Sequence, residues 1–221
     1  ASSSVSGCDI NVVPVGRNSS TYNKDKGDII VGVVDGGIDY KHEDLKDNMW
    51  RNPEKTGENV YGYNFVTGSF VITPEDHGTH VAGTVAAVNN NSIGVCGVAG
   101  GDLKKKIPGA KLMSCQIFKT NSDGSSTGVG GAAAIKYAAD NGAVIAQNSW
   151  GYSFDTNRDG EITGDELTKA LSAKISASDK IAVDYFIRYA GCDNNGNQLP
   201  NSPMKGGVVI FAAGNDAIAN G

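Results

Sequence analysis

Apolar positions along the chain fall into two kinds of pattern that alternate. Residues 29–34 form a short β-branched run, which reads as a buried strand. Small and apolar residues over 77–88 support a helix, and residues 111–118 form a second strand. Over 129–141, Ala132, Ile135, Ala138 and Ala139 share one helical face, with Gly142 placed as a C-terminal cap. Residues 143–148 predict a third strand, 165–190 carry helical spacing, and 207–213 predict a fourth strand. Residues 1–27 are polar and Ser/Asn-rich, and read as a surface arm. Strands alternating with helices specify an α/β fold: a parallel twisted sheet with helices on both faces. In such sheets, sites form beyond the carboxyl ends of the strands. Asp35, Ser149 and Asn215 all fall at that end.

Composition narrows the function classes. A chain of 221 residues suits one core, and 39% hydrophobic with 19% charged residues is ordinary globular composition. A net charge of −5 gives no reason to expect nucleic acid or an anionic membrane as partner, and Lys104-Lys105-Lys106 reads as a solvated loop. No stretch is long and apolar enough to span a bilayer, and none of these residues reads as a signal peptide, so any secretion signal or propeptide is expected to have been removed or to lie outside them. Cys8, Cys96, Cys115 and Cys192 lack metal-ligand spacing. Cys96 and Cys115 are expected to be free core thiols, whereas Cys8 and Cys192 lie in polar loops where pairing stays open.

Three segments carry acyl-transfer chemistry. Val33-Val34-Asp35-Gly36-Gly37-Ile38-Asp39 ends a strand in a carboxylate. Asp76-His77-Gly78-Thr79-His80-Val81-Ala82-Gly83-Thr84 opens a helix on a histidine. Ile210-Phe211-Ala212-Ala213-Gly214-Asn215-Asp216 ends a strand in an amide. A general-base histidine needs one tautomer and must tolerate becoming imidazolium, and a buried carboxylate on its far ring nitrogen supplies both. An asparagine amide can donate to the oxyanion of a tetrahedral intermediate. Each segment alone has a plainer reading: a turn residue, a surface or metal-binding His pair, a strand end. Jointly and in this order they specify a site. Asp before His excludes the chymotrypsin and α/β-hydrolase orders.

The three segments together resemble the subtilisin-like serine proteases, the subtilases, and the resemblance covers most of the chain from about residue 28. It implies catalytic roles for Asp35, His77 and Asn215, with Gly36 where Thr or Ser is usual in the family. Ser149, Trp150 and Gly151 match the strand that lines the family's side-chain pocket. Gly124, Ser125 and Ser126 resemble the opposite rim, with Ser126 where glycine is common. A peptide or protein substrate would then bind by strand addition between the two. The family's nucleophile segment, Gly-Thr-Ser followed by small residues, has no match in these residues. The serine is therefore expected from polypeptide outside the chain, such as a companion fragment, and the 221 residues alone are expected to be inactive and the sheet incomplete at its C-terminal side. The resemblance places the protein outside the cytoplasm: secreted, periplasmic or at the cell surface. The alternatives are a non-catalytic, calcium-binding peptide-recognition module, or an inactive fragment.

Calcium is the expected cofactor. Residues 155–166 fit the loop pattern D-x-[DN]-x-[DN]-G-x₅-E, inside an insertion at about 152–206. Asp155, Asn157, Asp159 and Glu166 supply side-chain oxygens and Glu161 a backbone carbonyl, with Thr163 at position 9 and Ile162 as the hydrophobe at position 8. The exiting helix is expected at 167–175; residues 151–154 make a poor entering helix, so the loop resembles half an EF-hand or a dockerin loop. The family resemblance implies a second site from Asp44, Asn91, Ile93 and Val95, in a loop one Asn longer than usual.

Overall fold

The computed structural model describes residues 27–152, 154–156 and 161–214. Strand β1 (Ile30–Gly36) lies at the centre of one sheet. On one side it pairs in parallel with β3 (Lys111–Thr120), which pairs in turn with β2 (Gly62–Asn64). On the other side it pairs with β5 (Ile145–Asn148), followed by β6 (Val208–Phe211), all parallel. A short strand β4 (Ser126–Gly128) folds back antiparallel on the end of β3. The chain leaves β1 toward β3 and later returns across it to β5. The sheet's switch point therefore lies between β1 and β5, where α/β sheets bind ligands.

The strand alternation sorts side chains to two cores. Val31, Val33 and Leu112 face helix α1 (Asp76–Ala86), whose Ala82 and Ala86 are fully buried. Val34, Met113, Cys115 and Ile117 face helix α2 (Gly131–Asp140) through Ala134, Ile135 and Ala138. Burial pushes the Cys115 thiol well above its ordinary range, so it packs as an inert hydrophobe. Tyr137, raised to about 12 by its burial, joins Tyr63, Phe65 and Phe70 in an aromatic cluster beside β2. Gly142 takes φ +91° where the pattern placed a cap for α2.

Between β5 and β6 stand two helices where one run of helical spacing was expected. Helix α3 (Gly164–Ser172) buries no residue. Helix α4 (Ala177–Tyr189) packs on α2 through Ala182 and Phe186. The break has a chemical cause: the Ser176 hydroxyl accepts the N–H of Asp179 at 3.0 Å and caps α4. Tyr152 donates to Asp179 Oδ2 at 3.3 Å, which fastens the chain after β5 to the start of α4. At the far edge Val208, Ile210 and Phe211 of β6 are exposed. No described helix is long and apolar enough to cross a membrane.

Two expectations about cysteine need correcting or completing. Cys96 is exposed, not a core thiol. Its loop is lifted along α1 by the bonds Val98 N to Thr84 O and Ala99 N to Val85 O, which leaves Val95 and Val98 exposed as well. Cys192 carries a free thiol, while Cys8 lies outside the described residues, as do Asn157, Asp159 and Asn215.

Candidate active site

Asp35 is the last carboxylate of β1 and is 1% exposed. The β1–β3 register shifts between Asp35 and Gly36, a bulge that re-aims the strand end. Two buried polar side chains on β3 then fix the loops around it. Ser114 Oγ accepts Ile38 N at 3.2 Å, and Gln116 Oε1 accepts Thr73 N at 2.9 Å. Thr79 Oγ1 accepts Asp39 N at 2.9 Å, which ties the same loop to α1. The start of α1 lies against the end of β1 so closely that a β-carbon on Gly78 would sit 2.1 Å from Gly36 O. Only glycine fits at that backbone contact.

This contact brings His77 Nδ1 to 2.7 Å from Asp35 Oδ1. Gly36 N donates to the same oxygen at 2.6 Å. With Oδ1 accepting from the ring, the proton sits on Nδ1 and Nε2 faces the solvent as an acceptor. The His77 side chain is 68% exposed, so Nε2 is open to an incoming group while Asp35 stays dry. Asp35 Oδ2 is buried without a hydrogen-bond partner among the described residues.

The pair stands in a cleft of about 550 Å³. Ser126 lines it from the β4 side, and Ser149, Trp150 and Gly151 line it from the end of β5. Gly124 and Ser125, expected beside Ser126, do not line the cleft. They form the β3–β4 turn, where Ser125 donates through N–H and hydroxyl to Asp123 and holds that carboxyl below its ordinary range. Trp150 packs edge-on against Phe211, with ring centroids 5.3 Å apart. Glu75, Asp76, Pro74, Phe118 and Thr120 also line the cleft and were not picked out from the sequence. The signal available for Glu75 and Asp76 was their place next to His77. Phe118 lies where the second strand was expected to end, and Thr120 ends the strand two residues later than expected.

The sequence model described as the subtilase family matches residues 26–221. The chain belongs to the subtilase family. This subtilase is 34% identical over 122 residues to the thermophilic serine proteinase of Bacillus sp. (strain AK1), covering 55% of this chain and 25% of that protein. It is 30% identical over 189 residues to thermitase of Thermoactinomyces vulgaris, covering 84% of this chain and 54% of thermitase. The halolysin-like extracellular serine protease Nep of Natrialba magadii is 34% identical over 140 residues, 62% of this chain and 23% of Nep. The subtilase chain thus matches between about a quarter and about half the length of these relatives.

The cation-loop residues divide unequally in this subtilase. Asp44, Asn91, Ile93 and Val95 come together: Asn91 Nδ2 donates to Asp44 Oδ1 at 2.6 Å, Val95 N to Oδ2 at 2.9 Å, and Ile93 N to Asn91 Oδ1 at 3.0 Å. Both oxygens of the buried Asp44 therefore serve N–H donors, and a cation there would have to displace Asn91 Nδ2 and Val95 N. In the loop at 155–166, Glu166 Oε1 accepts from the amide and hydroxyl of Thr156, which draws the two ends together, and Ile162 is 7% exposed. Helix α3 starts at Gly164, earlier than the expected 167. Among the described residues, no three His, Cys, Asp or Glu side chains cluster so as to hold a metal ion.

Proposed function

We propose that this chain is the Asp–His part of a secreted serine endopeptidase whose nucleophilic serine is supplied by polypeptide outside these residues. The observation that carries the reading is the 2.7 Å bond from exposed His77 to dry Asp35, set in a cleft with Ser126 on one wall and Ser149–Gly151 on the other. An extended peptide lies between those walls as an added strand. The serine oxygen attacks the scissile carbonyl carbon while His77 Nε2 takes its proton. Asp35 keeps the ring oriented and offsets the positive charge it gains. The tetrahedral oxyanion accepts from the Asn215 amide. Loss of such a donor slows subtilisin, a member of this family, by about 10²–10³. Collapse breaks the C–N bond, His77 returns the proton to the leaving amine, and water then repeats the cycle on the acyl-enzyme.

Calcium belongs to the same proposal, at the loop 155–166 and at the Asp44 loop. The first is supported by the concordant oxygen-bearing positions and by the buried Ile162. Bound calcium would fix the chain beyond Gly151 and supply no step of the reaction.

The test is covalent labelling of the full-length protein by a fluorophosphonate, read by intact mass. One label per serine-bearing polypeptide is expected, with labelling slowed about 10²–10⁴-fold in His77→Ala. Absence of any label, or equal labelling of His77→Ala, overturns the reading in favour of a binding module without hydrolysis.

A further inference from the structure

Among the described residues, the cleft is lined by charge of one sign: the carboxylates of Asp35, Glu75 and Asp76, and no Lys or Arg. Asp35 is partnered by a histidine and not by a permanent cation, and its Oδ2 is buried and unpaired. A negative, partly desolvated wall beside the reacting bond acts on whatever peptide side chain lies against it.

Glu75 is the residue through which this charge reaches the substrate. It occupies the N-cap position of α1, where a short side chain normally accepts a backbone N–H of its own helix, yet its side chain makes no such bond. The carboxylate crosses the cleft instead, where Oε1 accepts Thr120 N at 3.2 Å, 45 residues away at the end of β3. Its stem is held against Gly36, where an added β-carbon would meet Glu75 Cβ at 2.8 Å, and its N–H is bonded to Gly37 O at 2.8 Å. The side chain is thus fixed between His77 and the β4 rim. No basic side chain among the described residues pairs with it or with Asp76. Helix-dipole stabilisation accounts for Asp76 in the first turn of α1. It does not account for a carboxylate aimed out of that helix across the cleft.

We infer that Glu75 makes this cleft select peptides with a Lys or Arg side chain flanking the scissile bond. The inference rests on the peptidase reading for its position in the cleft. The charge complement is one carboxylate and one mobile cation at a half-exposed site, so the preference is modest and screened by salt.

The experiment uses full-length protein and pairs of fluorogenic peptides that differ only in arginine against citrulline, its neutral isostere, at one position at a time on either side of the scissile bond. At one of these positions kcat/KM for arginine should exceed that for citrulline about three- to tenfold at low ionic strength, and the ratio should fall at 1 M NaCl. In Glu75→Gln, which keeps the acceptor for Thr120 N and loses the charge, the ratio should drop to about one. Asp76→Asn should lower the ratio less. An arginine preference that survives in Glu75→Gln, or no preference at any position, overturns the inference. Anisotropy of the same peptides on the same protein separates it from the peptidase reading. Arginine-selective binding without hydrolysis overturns only the peptidase reading; hydrolysis without selectivity overturns only the charge assignment; neither binding nor hydrolysis overturns both.

Discussion

Helices α2 and α3 are of similar length and both are amphipathic, yet they meet opposite fates. Helix α2 lies across β1 and β3 and buries Ala134, Ile135 and Ala138 completely. Helix α3 buries nothing, and its Leu171 is 74% exposed. An apolar stripe states what a helix is able to bury, and the topology decides whether a surface is there to receive it. The same contrast separates two regions of the molecule. The frame from β1 to β5 is sealed on both faces and holds the Asp–His pair, whereas the segment from 152 to 206 is attached by α4, by the Tyr152–Asp179 bond and by Ile162.

Truncation at matched positions breaks the comparison most directly. Ile135→Ala in the frame should destabilise by about 2–5 kcal/mol, because the site is fully buried and the cavity does not collapse completely. Leu171→Ala should stay within about 0.5 kcal/mol. Urea denaturation of both variants checks this, and equal losses would mean that α3 is covered by something in solution.

Calcium sharpens the comparison on the side of the insertion. If the loop at 155–166 binds calcium, chelation removes about 2.7 kcal/mol at a concentration a hundredfold above Kd. That corresponds to a drop in Tm of about 5–10 °C for a domain of this size. Glu166→Gln should abolish most of that drop. An unchanged Tm in chelator would leave the loop as an acidic surface turn.

Acid gives the smallest effect. Backbone N–H donors from Asn197 and Asn195 hold the Asp193 carboxyl below its ordinary range, in the loop after α4. A carboxyl depressed in the fold binds fewer protons there than in the unfolded chain. Its contribution is present above about pH 4, the unfolded value, and is lost as pH falls through the folded one. The Tm difference between wild type and Asp193→Asn should therefore be small at neutral pH and shrink further as pH falls below about 4. A difference independent of pH would assign the effect of the substitution to packing.

Much of the frame was legible because its signals are local. The β-branched run at 29–34 and the strand at 111–118 announce themselves within a few residues, and the chemistry sits at their ends. Strands β2 and β4 were missed because three residues carry no period to read. The break between α3 and α4 was written in Ser176 and Asp179, a capping pair hidden inside continuous helical spacing. Cys96 misled because its neighbours Val95 and Val98 are apolar, while bonds to Asp44 and α1 hold that loop on the surface. Glu75 was illegible for a different reason: what it does depends on Thr120, which only the folded sheet brings near.

The contact of Gly78 with Gly36 has a consequence for how such a site ages under mutation. The spacing of Asp35 and His77 is gauged by main chain against main chain, with no side chain as a shim between them. Residues of either core can therefore drift in size, and the sheet can breathe to fit them, without lengthening the path of the proton. The price of that tolerance is concentrated at Gly78, where a single added methyl group would meet the carbonyl of Gly36 and pry the carboxylate and the imidazole apart.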